Sequence, residues 1–291
     1  MGSLDGRIAI ITGAGRGIGR EHSLFFAAEG AKVVVNDLGG ANDGTGTDLT
    51  PAQQVVEEIE AMGGEAVANG DDVADWEGAQ RLVNAAIESF GDLDILVNNA
   101  GILRDRVIVN MTEEEWDGVI KVHLKGHFAP TRWAAAYWRE QHKAGVAKPR
   151  NIVHTSSTSG LFSNPGQANY GAAKTGIATF SQIAAKELVR YGVKSNTIAP
   201  GARTRLTLAT PGLEDIMKPK DGAFDQWDPA NISPLVAYLA SADCAFTGET
   251  FLVQGGNVTL IDSWARGAGV DQDLKWTVPD LTAALAPLVR S

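Results

Sequence analysis

The stretch Arg7–Gly19, RIAIITGAGRGIG, decides the fold of this chain. Apart from Arg7 its first five residues are apolar, and three of them are the β-branched Ile, a composition that is typical of a buried strand. A glycine loop with Gly13, Gly17 and Gly19 follows at once, and the next residues have helical spacing as far as Gly30. A strand, a glycine loop and a helix in this order predict a site where backbone N–H groups and the positive end of a helix hold the pyrophosphate of a dinucleotide.

The end of the next predicted strand indicates which dinucleotide this loop would hold. Residues 31–36, AKVVVN, read as that strand, and Asp37 follows about 20 residues beyond the glycine loop. A carboxylate there accepts hydrogen bonds from ribose hydroxyls and repels a 2′-phosphate, so Asp37 favours NAD over NADP. Arg16 argues the other way, because its guanidinium can pair with that phosphate. Asp72-Val73, after the third strand, stands where a carboxylate reaches an adenine amino group or, alternatively, only charges a helix N-terminus.

A second stretch, Ser156–Lys174, carries residues that suit proton transfer. Tyr170 and Lys174 are spaced i, i+4 and share one face if the segment is helical, as the apolar spacing after Lys174 predicts. A phenol is protonated at neutral pH, but a neighbouring ammonium lowers its pKa and makes it a usable base. Ser157 comes from a separate segment and can hold a substrate oxygen beside the phenol. The stretch therefore predicts proton transfer to or from an alcohol or a carbonyl.

The alternation of strands and helices predicts the fold class. Further strands are predicted at residues 65–69, 94–97, 150–155, 194–199 and 250–253, with helices between most of them. This order predicts an α/β fold with one doubly wound parallel sheet, a Rossmann fold. Ligands bind at the carboxyl ends of such strands, and the candidate residues follow predicted strands: the glycine loop, Asp37, Asn98-Asn99, Ser157 and Pro200. We expect one domain at residues 1–256 and a C-terminal extension, residues 257–291, that packs on it or on an oligomer partner.

Two segments carry further structural expectations. Thr112, followed by three glutamates, is typical of the start of a helix, and Pro130 predicts a kink or a break in that helix. Residues 202–227 have weak periodicity and many turn residues, so we expect a lid or a binding loop there.

Composition and charge exclude several kinds of partner. The 291 residues are 44% hydrophobic, and the formal net charge of −10 argues against nucleic acid or an anionic membrane as the main partner. No apolar run approaches about 20 residues, so we expect no membrane span. The single cysteine, Cys244, excludes an intrachain disulfide and fits a reducing cytosol, which predicts a cytoplasmic protein. His123 and His127 have a spacing that can bind a metal, but no HExxH pattern accompanies them, and we expect no metal site.

Together these residues resemble the short-chain dehydrogenase/reductase family over about residues 6–256. The resemblance is carried by TGAGRGIG, NNAG, the trio of Ser157, Tyr170 and Lys174, and PGART. It implies a nicotinamide cofactor, reversible alcohol–ketone oxidoreduction, and a homodimer or homotetramer. It further implies that Tyr170 is the general acid/base, that Lys174 holds the nicotinamide ribose and lowers the phenol pKa, and that Ser157 positions the substrate oxygen. Other cofactor contacts are implied for Ile18, Asn99, Gly101 and Thr204.

Several stretches are more similar to one subfamily, the dehydrogenase portions of peroxisomal multifunctional enzymes of type 2, also called 17β-hydroxysteroid dehydrogenases of type 4. These stretches are VVVNDLGG, NNAGILRDR, VHLKGHF and GQANYGAAK. The resemblance implies NAD-dependent oxidation of (3R)-hydroxyacyl-CoA, and for some members of steroid 17β-alcohols. It thins after Pro200, where substrate is chosen. We therefore expect an NAD-dependent dehydrogenase of a 3-hydroxyacyl-CoA. The alternatives are a hydroxysteroid or other bulky-alcohol dehydrogenase and, more remotely, a non-catalytic NAD-binding scaffold.

One position, His123, departs from the pattern of the wider family. His123 stands where the family often carries a catalytic Asn that holds a water in a proton relay, although the closer subfamily also tends to have His. This histidine can hold the water, titrate itself, or only pack within its helix.

The phosphates of CoA would need cations near the mouth of the site, and the candidates are Arg104, Arg106, Arg203, Arg205, Lys218 and Lys220.

Overall fold

Strands form where the chain carries short runs rich in Val and Ile, and they are buried because helices cover both faces of a parallel sheet. The computed structural model describes residues 2–41, 43–208, 212–219 and 222–289. The strands are β1 (Ile8–Thr12), β2 (Lys32–Asn36), β3 (Ala66–Asn69), β4 (Ile95–Asn98), β5 (Arg150–Thr155), β6 (Val193–Gly201), β7 (Thr250–Gln254) and β8 (Asn257–Ile261). Every residue of β1, β4 and β5 is buried, and in β1 and β4 every residue but the last is apolar.

The sheet is doubly wound, as predicted. Its strand order is β3-β2-β1-β4-β5-β6-β7-β8, so the chain winds outward from β1 in one direction and then returns to continue from β4 in the other. All pairings are parallel except that of β7 with β8. Thr12 pairs with Asn36, and Asn98 pairs with His154. The strand ends that carry the candidate residues therefore meet at one edge, on either side of the point where the winding reverses.

Helices connect the strands and cover the two faces of the sheet. They are α1 (Gly17–Ala28), α2 (Thr50–Ala61), α3 (Trp76–Phe90), α4 (Glu113–Ile120), α5 (Gly126–Lys143), α6 (Thr158–Phe162), α7 (Ala168–Leu188), α8 (Arg205–Leu208), α9 (Leu213–Ile216), α10 (Ser233–Ala240) and α11 (Val278–Leu285). Single turns of 3₁₀ helix lie at Ile108–Asn110, Val189–Tyr191, Pro229–Ile232 and Ala286–Leu288. One core cluster includes Ile11, Val35 and Phe26, and the other includes Ile10, Val34 and Trp138. Adjacent residues of β1 and β2 thus point into opposite cores, as the strand period requires.

Side-chain caps account for several helix ends. The Asp75 carboxylate accepts a hydrogen bond from the Gly78 N–H at the start of α3, and Gly91 ends that helix in the left-handed region at φ 87°. At the start of α4, the Thr112 hydroxyl accepts from the Glu115 N–H, and the Glu115 carboxylate accepts from the Thr112 N–H. This reciprocal capping box is the helix start that the Thr-Glu-Glu-Glu sequence predicts.

Of the kink or break expected at Pro130, the break does not occur. Pro130 lies inside α5, which continues to Lys143. The irregularity falls earlier, where Lys121–Lys125 forms a turn of π helix between α4 and α5. A π turn inserts an extra residue and changes the direction of the side chains that follow, and such turns are frequent at functional sites. His123 lies in this turn.

Three other features differ from the sequence expectations. The sheet continues beyond Gly256, because β8 pairs antiparallel with β7. Residues 158–162, directly after Ser157, form the short helix α6. The predicted loop at 202–227 contains the short helices α8 and α9 within its described part.

The chain divides into two compact units, residues 1–261 and 262–291. In the second unit, α11 begins after Thr277, whose hydroxyl accepts a hydrogen bond from the Asp280 N–H at 3.3 Å. Trp264 and Leu274 in this unit are each 82% exposed. Across the described part of the chain, every helix is too short or too polar to cross a bilayer.

Candidate active site

A cavity of about 670 Å³ opens at the carboxyl edge of the sheet. Most of the predicted site residues line it, from the glycine loop at one end to the Ser157, Tyr170 and Lys174 trio at the other. Those that do are Gly13, Arg16, Gly17, Ile18, Asp37, Asp72, Val73, Asn99, Gly101, His123, Ser157, Tyr170, Lys174 and Thr204. Gly19 is buried behind the loop and does not line the cavity.

The glycine loop is fixed by the neighbouring strand β4. The Thr12 hydroxyl accepts hydrogen bonds from the N–H groups of Asn99 (2.9 Å) and Ala100 (3.1 Å). In return, the Asn99 amide donates to the carbonyls of Thr12 (3.0 Å) and Gly13 (3.2 Å). A Cβ on Gly19 would lie 2.2 Å from the Gly13 carbonyl oxygen. Gly19 is therefore required for packing α1 against the loop, and Asn99 braces the loop from the other side.

The start of α1 fits a pyrophosphate. Arg16 is the N-cap residue and its side chain makes no cap hydrogen bond, and the first turn of α1 holds no acidic residue. Gly17, the first residue of the helix, has φ +54° and lines the cavity. Free N–H groups and the helix dipole favour an anion at such a helix start. A dinucleotide would thus be held by the backbone of residues 13–19.

Asp37 lies at the wall of the cavity directly after β2. One carboxylate oxygen accepts from the Gly15 N–H and the other from the Gly39 N–H, each at 2.7 Å. These two bonds hold the carboxylate in place beside the glycine loop. Burial is the main cause that lowers the pKa of Arg205 at this end of the cavity. The charge of the nearby Arg16 lowers it further, and the charge of Asp37 raises it. The adenosine end of the cavity therefore carries both signs of charge.

Asp72 and Val73 follow β3 at the same end of the cavity. The Asp72 carboxylate accepts from the Ala74 N–H at 2.8 Å and lies 3.7 Å from the Lys121 ammonium. The cap of helix α3 is Asp75 and not Asp72. Asp72 thus lines the cavity and also precedes the start of α3, and its role toward a cofactor stays a prediction.

Tyr170, Ser157 and Lys174 meet at the other end. Tyr170 and Lys174 lie on one face of α7, and the Lys174 ammonium is 5.5 Å from the centre of the Tyr170 ring. Ser157 is the last residue before α6, its hydroxyl accepts from the Ser159 N–H at 3.2 Å, and it hydrogen-bonds to the Tyr170 phenol. Lys174 is 2% exposed, and its ammonium donates to the Thr155 carbonyl at 2.6 Å.

The expectation that Lys174 lowers the pKa of Tyr170 is wrong for the protein alone, because the Tyr170 pKa is raised there. Burial raises the pKa of Tyr170 to about 12; the hydrogen bond from Ser157 opposes this rise and the charge of Asp105 adds to it. Burial also lowers the pKa of Lys174 to about 7. Both shifts have one cause, because taking a group out of water disfavours its charged form.

His123 contacts Tyr170 edge to face, with ring centres 5.0 Å apart. Its Nε2 atom lies 2.7 Å from the Ile102 carbonyl oxygen and 3.1 Å from the Ile102 backbone nitrogen, so the Ile102 backbone holds the ring in place. Burial and the charge of Lys174 place the His123 pKa well below its usual range, although the bond to Ile102 opposes the shift. The ring is therefore neutral at pH 7 and is part of the site wall.

Most of the proposed CoA-binding cations are already engaged. The Arg104 guanidinium donates to the carbonyls of Asp43 (2.8 Å) and Glu114 (3.1 Å). Arg106 pairs with Glu115 at 3.0 Å, and Arg203 pairs with Asp225 at 2.5 Å. Arg205 lines the cavity and is exposed, and Lys218 is exposed but does not line the cavity. Lys220 lies outside the described residues.

Sequence reasoning missed several lining residues. Asn164 and Gln167 line the cavity, and Gln167 donates to Asp105 at 2.7 Å while accepting from Asn164 at 3.0 Å. The loop after β2 contributes Gly40, Ala41 and Gly44, and the segment after β6 contributes Leu206, Met217 and Trp227. Gln167 stands three residues before Tyr170, and this closeness to a predicted site residue could have identified it as a lining residue. The loop residues carry no comparable signal, because their place depends on how the loop folds back. In the part of the chain that the structure describes, no three His, Cys, Asp or Glu side chains are grouped so that they could hold a metal ion.

Comparisons with known proteins agree with this geometry. Residues 7–210 match the family described as short chain dehydrogenase. A hydroxyacyl-CoA dehydrogenase of Mycobacterium tuberculosis, ChsB1, is 43% identical over 294 residues, which cover 97% of this chain and 88% of that protein. The peroxisomal multifunctional enzyme type 2 of Drosophila melanogaster is 44% identical over 265 residues, covering 91% of this chain but only 41% of that longer protein.

A solved structure shares the whole architecture. A short chain dehydrogenase from Mycobacterium avium superimposes with a TM-score of 0.86 at 50% identity, and the match covers 99% of this chain and 94% of that one. The chain thus matches the family in both sequence and fold. It also carries the glycine loop, the strand-end residues and the trio of Ser157, Tyr170 and Lys174 beside the cavity. This chain is a member of the short-chain dehydrogenase/reductase family of oxidoreductases.

Proposed function

We propose that this protein is an NAD-dependent dehydrogenase of 3-hydroxyacyl-CoA, with Tyr170 as the general acid/base. The observation that carries the proposal is a single cavity with the glycine loop and Asp37 at one end and Tyr170, Ser157 and Lys174 at the other. A nicotinamide cofactor held along it supplies the hydride acceptor, and the positive charge of its oxidised ring favours the phenolate. Tyr170 then takes the hydroxyl proton, while Ser157 holds the substrate oxygen.

The choice of NAD rests on Asp37. Its carboxylate is held by two backbone N–H groups and cannot easily turn away from a 2′-phosphate. Arg16 and Arg205 are the opposing feature, because a guanidinium pair would attract that phosphate. Replacing Asp37 with Ser should therefore reduce the preference for NAD over NADP, measured as the ratio of kcat/KM values. An unchanged ratio would show that Asp37 does not determine the choice.

The substrate class rests on the relatives and on the walls of the cavity. Relatives named as a hydroxyacyl-CoA dehydrogenase and as multifunctional enzymes support a thioester substrate. Leu103, Leu206, Met217 and Trp227 are apolar residues that line the cavity and could contact an acyl chain, and Arg205 and Lys218 are the sequence neighbours of Leu206 and Met217. The same apolar residues also favour a hydroxysteroid, which needs no cation.

The test is NADH formation with paired substrates: (3R)- and (3S)-hydroxyacyl-CoAs of several lengths, and 17β-hydroxysteroids. We expect turnover of the (3R)-thioesters. Turnover of steroids alone would replace the thioester by a polycyclic alcohol. NAD binding without turnover of any alcohol would support the non-catalytic scaffold instead.

The role of Tyr170 is tested by Tyr170→Phe. This substitution should lower kcat by about two orders of magnitude or more while NAD still binds. Tyr238→Phe is the matched control, because Tyr238 is 39% exposed on α10 and away from the cavity. Retained activity in Tyr170→Phe would contradict the assigned role. A homodimer or homotetramer in the cytoplasm completes the proposal, and light scattering of the purified protein tests the assembly.

A further inference from the structure

A row of hydrogen-bonded side chains leads from the surface of helix α3 to the adenosine end of the cavity. Nε of Arg81 donates to one carboxylate oxygen of Asp71 at 2.7 Å, and the Asn69 amide donates to the other at 2.9 Å. The Asn36 amide donates in turn to the Asn69 side-chain oxygen at 2.8 Å. Asn36 and Asp71 line the cavity, whereas Arg81 does not line it and its side chain is 60% exposed. The function proposed above assigns no role to these four residues.

Asp71 is the residue at which this row meets the backbone of the cavity wall. Its N–H donates to the Asn69 side-chain oxygen and its carbonyl accepts from the Asn36 amide, each at 3.0 Å. Both of its carboxylate oxygens are bonded as well, and its side chain is 18% exposed. Among the bonds that the structure describes for Asp71, only that of Arg81 brings a positive charge. The position of Asp71 thus depends on two neutral amides and on one cation from α3.

The next two residues, Asp72 and Val73, are the ones predicted to meet the adenine. Both line the cavity, and residues 70–72 belong to no helix or strand. A segment outside regular structure is held by the side chains that satisfy its backbone groups. Asp72 follows Asp71 across a single planar peptide bond, so a shift of Asp71 moves Asp72 with it. The wall beside the adenine therefore depends on what holds Asp71.

Repulsion between carboxylates explains why a cation matters at this point. Asp37, Asp71 and Asp72 all line this end of the cavity, and like charges close together disfavour one another. Lys121 lies 3.7 Å from Asp72, and Arg81 bonds to Asp71 directly. An ion pair as exposed as that of Arg81 adds little to global stability. Its loss should therefore appear in the position of the cavity wall more than in the free energy of unfolding.

We propose that Arg81 determines the affinity of the site for the adenosine half of the cofactor, because it fixes Asp71 and thereby Asp72 and Val73. The proposal rests on the function proposed above, since it requires the adenosine to lie at this end of the cavity. Arg81 is a positioning residue and not a catalytic one. The chemistry at Tyr170, at the other end of the cavity, should not depend on it.

The first experiment measures the binding of cofactor fragments to the full chain by isothermal titration calorimetry. Arg81→Met keeps a side chain of similar length but removes the cation. In this variant the Kd for ADP-ribose should rise about three- to ten-fold, the effect of losing one hydrogen bond of ordinary net strength. The Kd for nicotinamide mononucleotide, which lacks the adenosine, should not change. Arg81→Lys retains a cation and should recover most of the affinity for ADP-ribose.

Two further variants separate the route through Asp71 from the other contact of Arg81. Arg81 also lies 3.9 Å from Asp75, a distance that is too long for a hydrogen bond. Asp75→Asn keeps a good N-cap residue for α3 and should leave ADP-ribose binding unchanged. Asp71→Asn should weaken this binding, and adding Arg81→Met to it should have little further effect, because both changes break the same contact.

The two fragments also show which results would contradict the role of Arg81. If Arg81→Met binds ADP-ribose as tightly as the wild type does, the inference about Arg81 fails while the cofactor assignment stands. An equal loss of affinity for both fragments would overturn the inference too, because it would indicate a general loss of structure, which urea denaturation checks. If the wild type itself bound no ADP-ribose, the proposed cofactor site would fail and this inference with it.

Steady-state kinetics with whichever alcohol the enzyme oxidises provide the second experiment. Arg81→Met should raise KM for NAD, with little change in kcat or in KM for the alcohol. A fall in kcat at an unchanged KM for NAD would contradict a role confined to the adenosine end of the cavity.

Discussion

Gly101 lies where the backbone after β4 passes closest to His123. A Cβ at this position would lie 2.4 Å from Cε1 of His123 and 3.2 Å from its Nδ1. The histidine cannot withdraw easily, because its Nε2 is held by the Ile102 backbone and its ring packs on Tyr170. The absence of a side chain at residue 101 therefore determines where the His123 ring, and through it Tyr170, can sit.

We expect Gly101→Ala to reduce the free energy of unfolding by about 1–3 kcal/mol, the usual cost of overpacking, and to lower kcat. Urea denaturation and steady-state kinetics measure the two effects. Gly256→Ala is the control, because a Cβ there meets no atom within 4 Å. Equal stability of the two variants would mean that His123 can move aside at no cost.

Lys174 makes stability depend on pH in a direction that can be worked out. Its pKa falls from an ordinary 10.5 to about 7 because burial disfavours the ammonium. Between about pH 7 and 10 the unfolded state therefore binds more protons than the folded state, so stability rises with pH. Below pH 7 both states are protonated, and the full cost of burying the ammonium remains.

The comparison that isolates this effect is wild type against Lys174→Met. From pH 7 to pH 9 the wild type should gain about 2 kcal/mol relative to the variant, since one proton is worth about 1.4 kcal/mol per pH unit. Denaturant titrations at pH 6, 7, 8 and 9 provide the numbers. Lys218→Met, at an exposed position, should show a constant difference from wild type. A constant difference for Lys174→Met would mean that the buried amine keeps an ordinary pKa.

At the scale of elements, the loop between β2 and α2 is tied to the catalytic end of the cavity through Arg104. The Arg104 guanidinium bonds to the carbonyl of Asp43 in this loop and to that of Glu114 in α4. Its own carbonyl accepts from the Asn169 amide at 3.0 Å, next to Tyr170. The loop lines the cavity with Gly40, Ala41 and Gly44. One residue thus connects the cofactor end of the site with helix α7.

We expect Arg104→Ala to loosen this loop and to raise KM for NAD about five- to thirty-fold, as the loss of one or two hydrogen bonds of about 1 kcal/mol each would do. The change in kcat should be smaller, because the bonds that Tyr170 makes to Ser157 are not touched. Arg106→Ala is the control, since Arg106 pairs with Glu115 and makes no described bond to the loop. The same rise in KM in both variants would contradict a specific role for Arg104.

At the scale of the whole molecule, buried histidines determine the response to acid. Four of the five histidines are buried: His22, His123, His127 and His154. Burial lowers the pKa of His22 and His154 to about 3, and lowers the pKa values of the other two well below 6.5. As the pH falls below 6.5 the unfolded state takes up protons that the folded state does not, so stability decreases.

Each buried histidine should contribute up to about 1.4 kcal/mol of lost stability per pH unit below pH 6.5. We expect a steep fall between pH 6 and pH 4, and a shallower one, by one proton, in His22→Gln. His142→Gln, at an exposed histidine, should leave the slope unchanged. Midpoints of urea unfolding across this range give the slopes. A wild-type curve that is flat down to pH 4 would show that these rings are protonated in the folded state.

Local patterns in the sequence determined the fold and the arrangement of the candidate site along the chain. The run Arg7–Gly19, the strand ends and the i, i+4 spacing of Tyr170 and Lys174 are each set by residues within a few positions of one another. Backbone geometry then brings the strand ends to one edge of the sheet. The family, the doubly wound sheet and the positions of Asp37 and Ser157 directly after strands follow from such short-range signals.

Only the tertiary structure decided what depends on residues far apart in the chain. The Arg104 bond to Asp43, the stacking of His127 on His154 and the burial that sets the pKa values of Tyr170 and Lys174 all require segments that meet after folding. The Tyr170 pKa is the clearest case, because spacing alone predicted a lowering and burial reversed its sign. Spacing reports which charges are neighbours, whereas the removal of water around them is a property of the packed molecule.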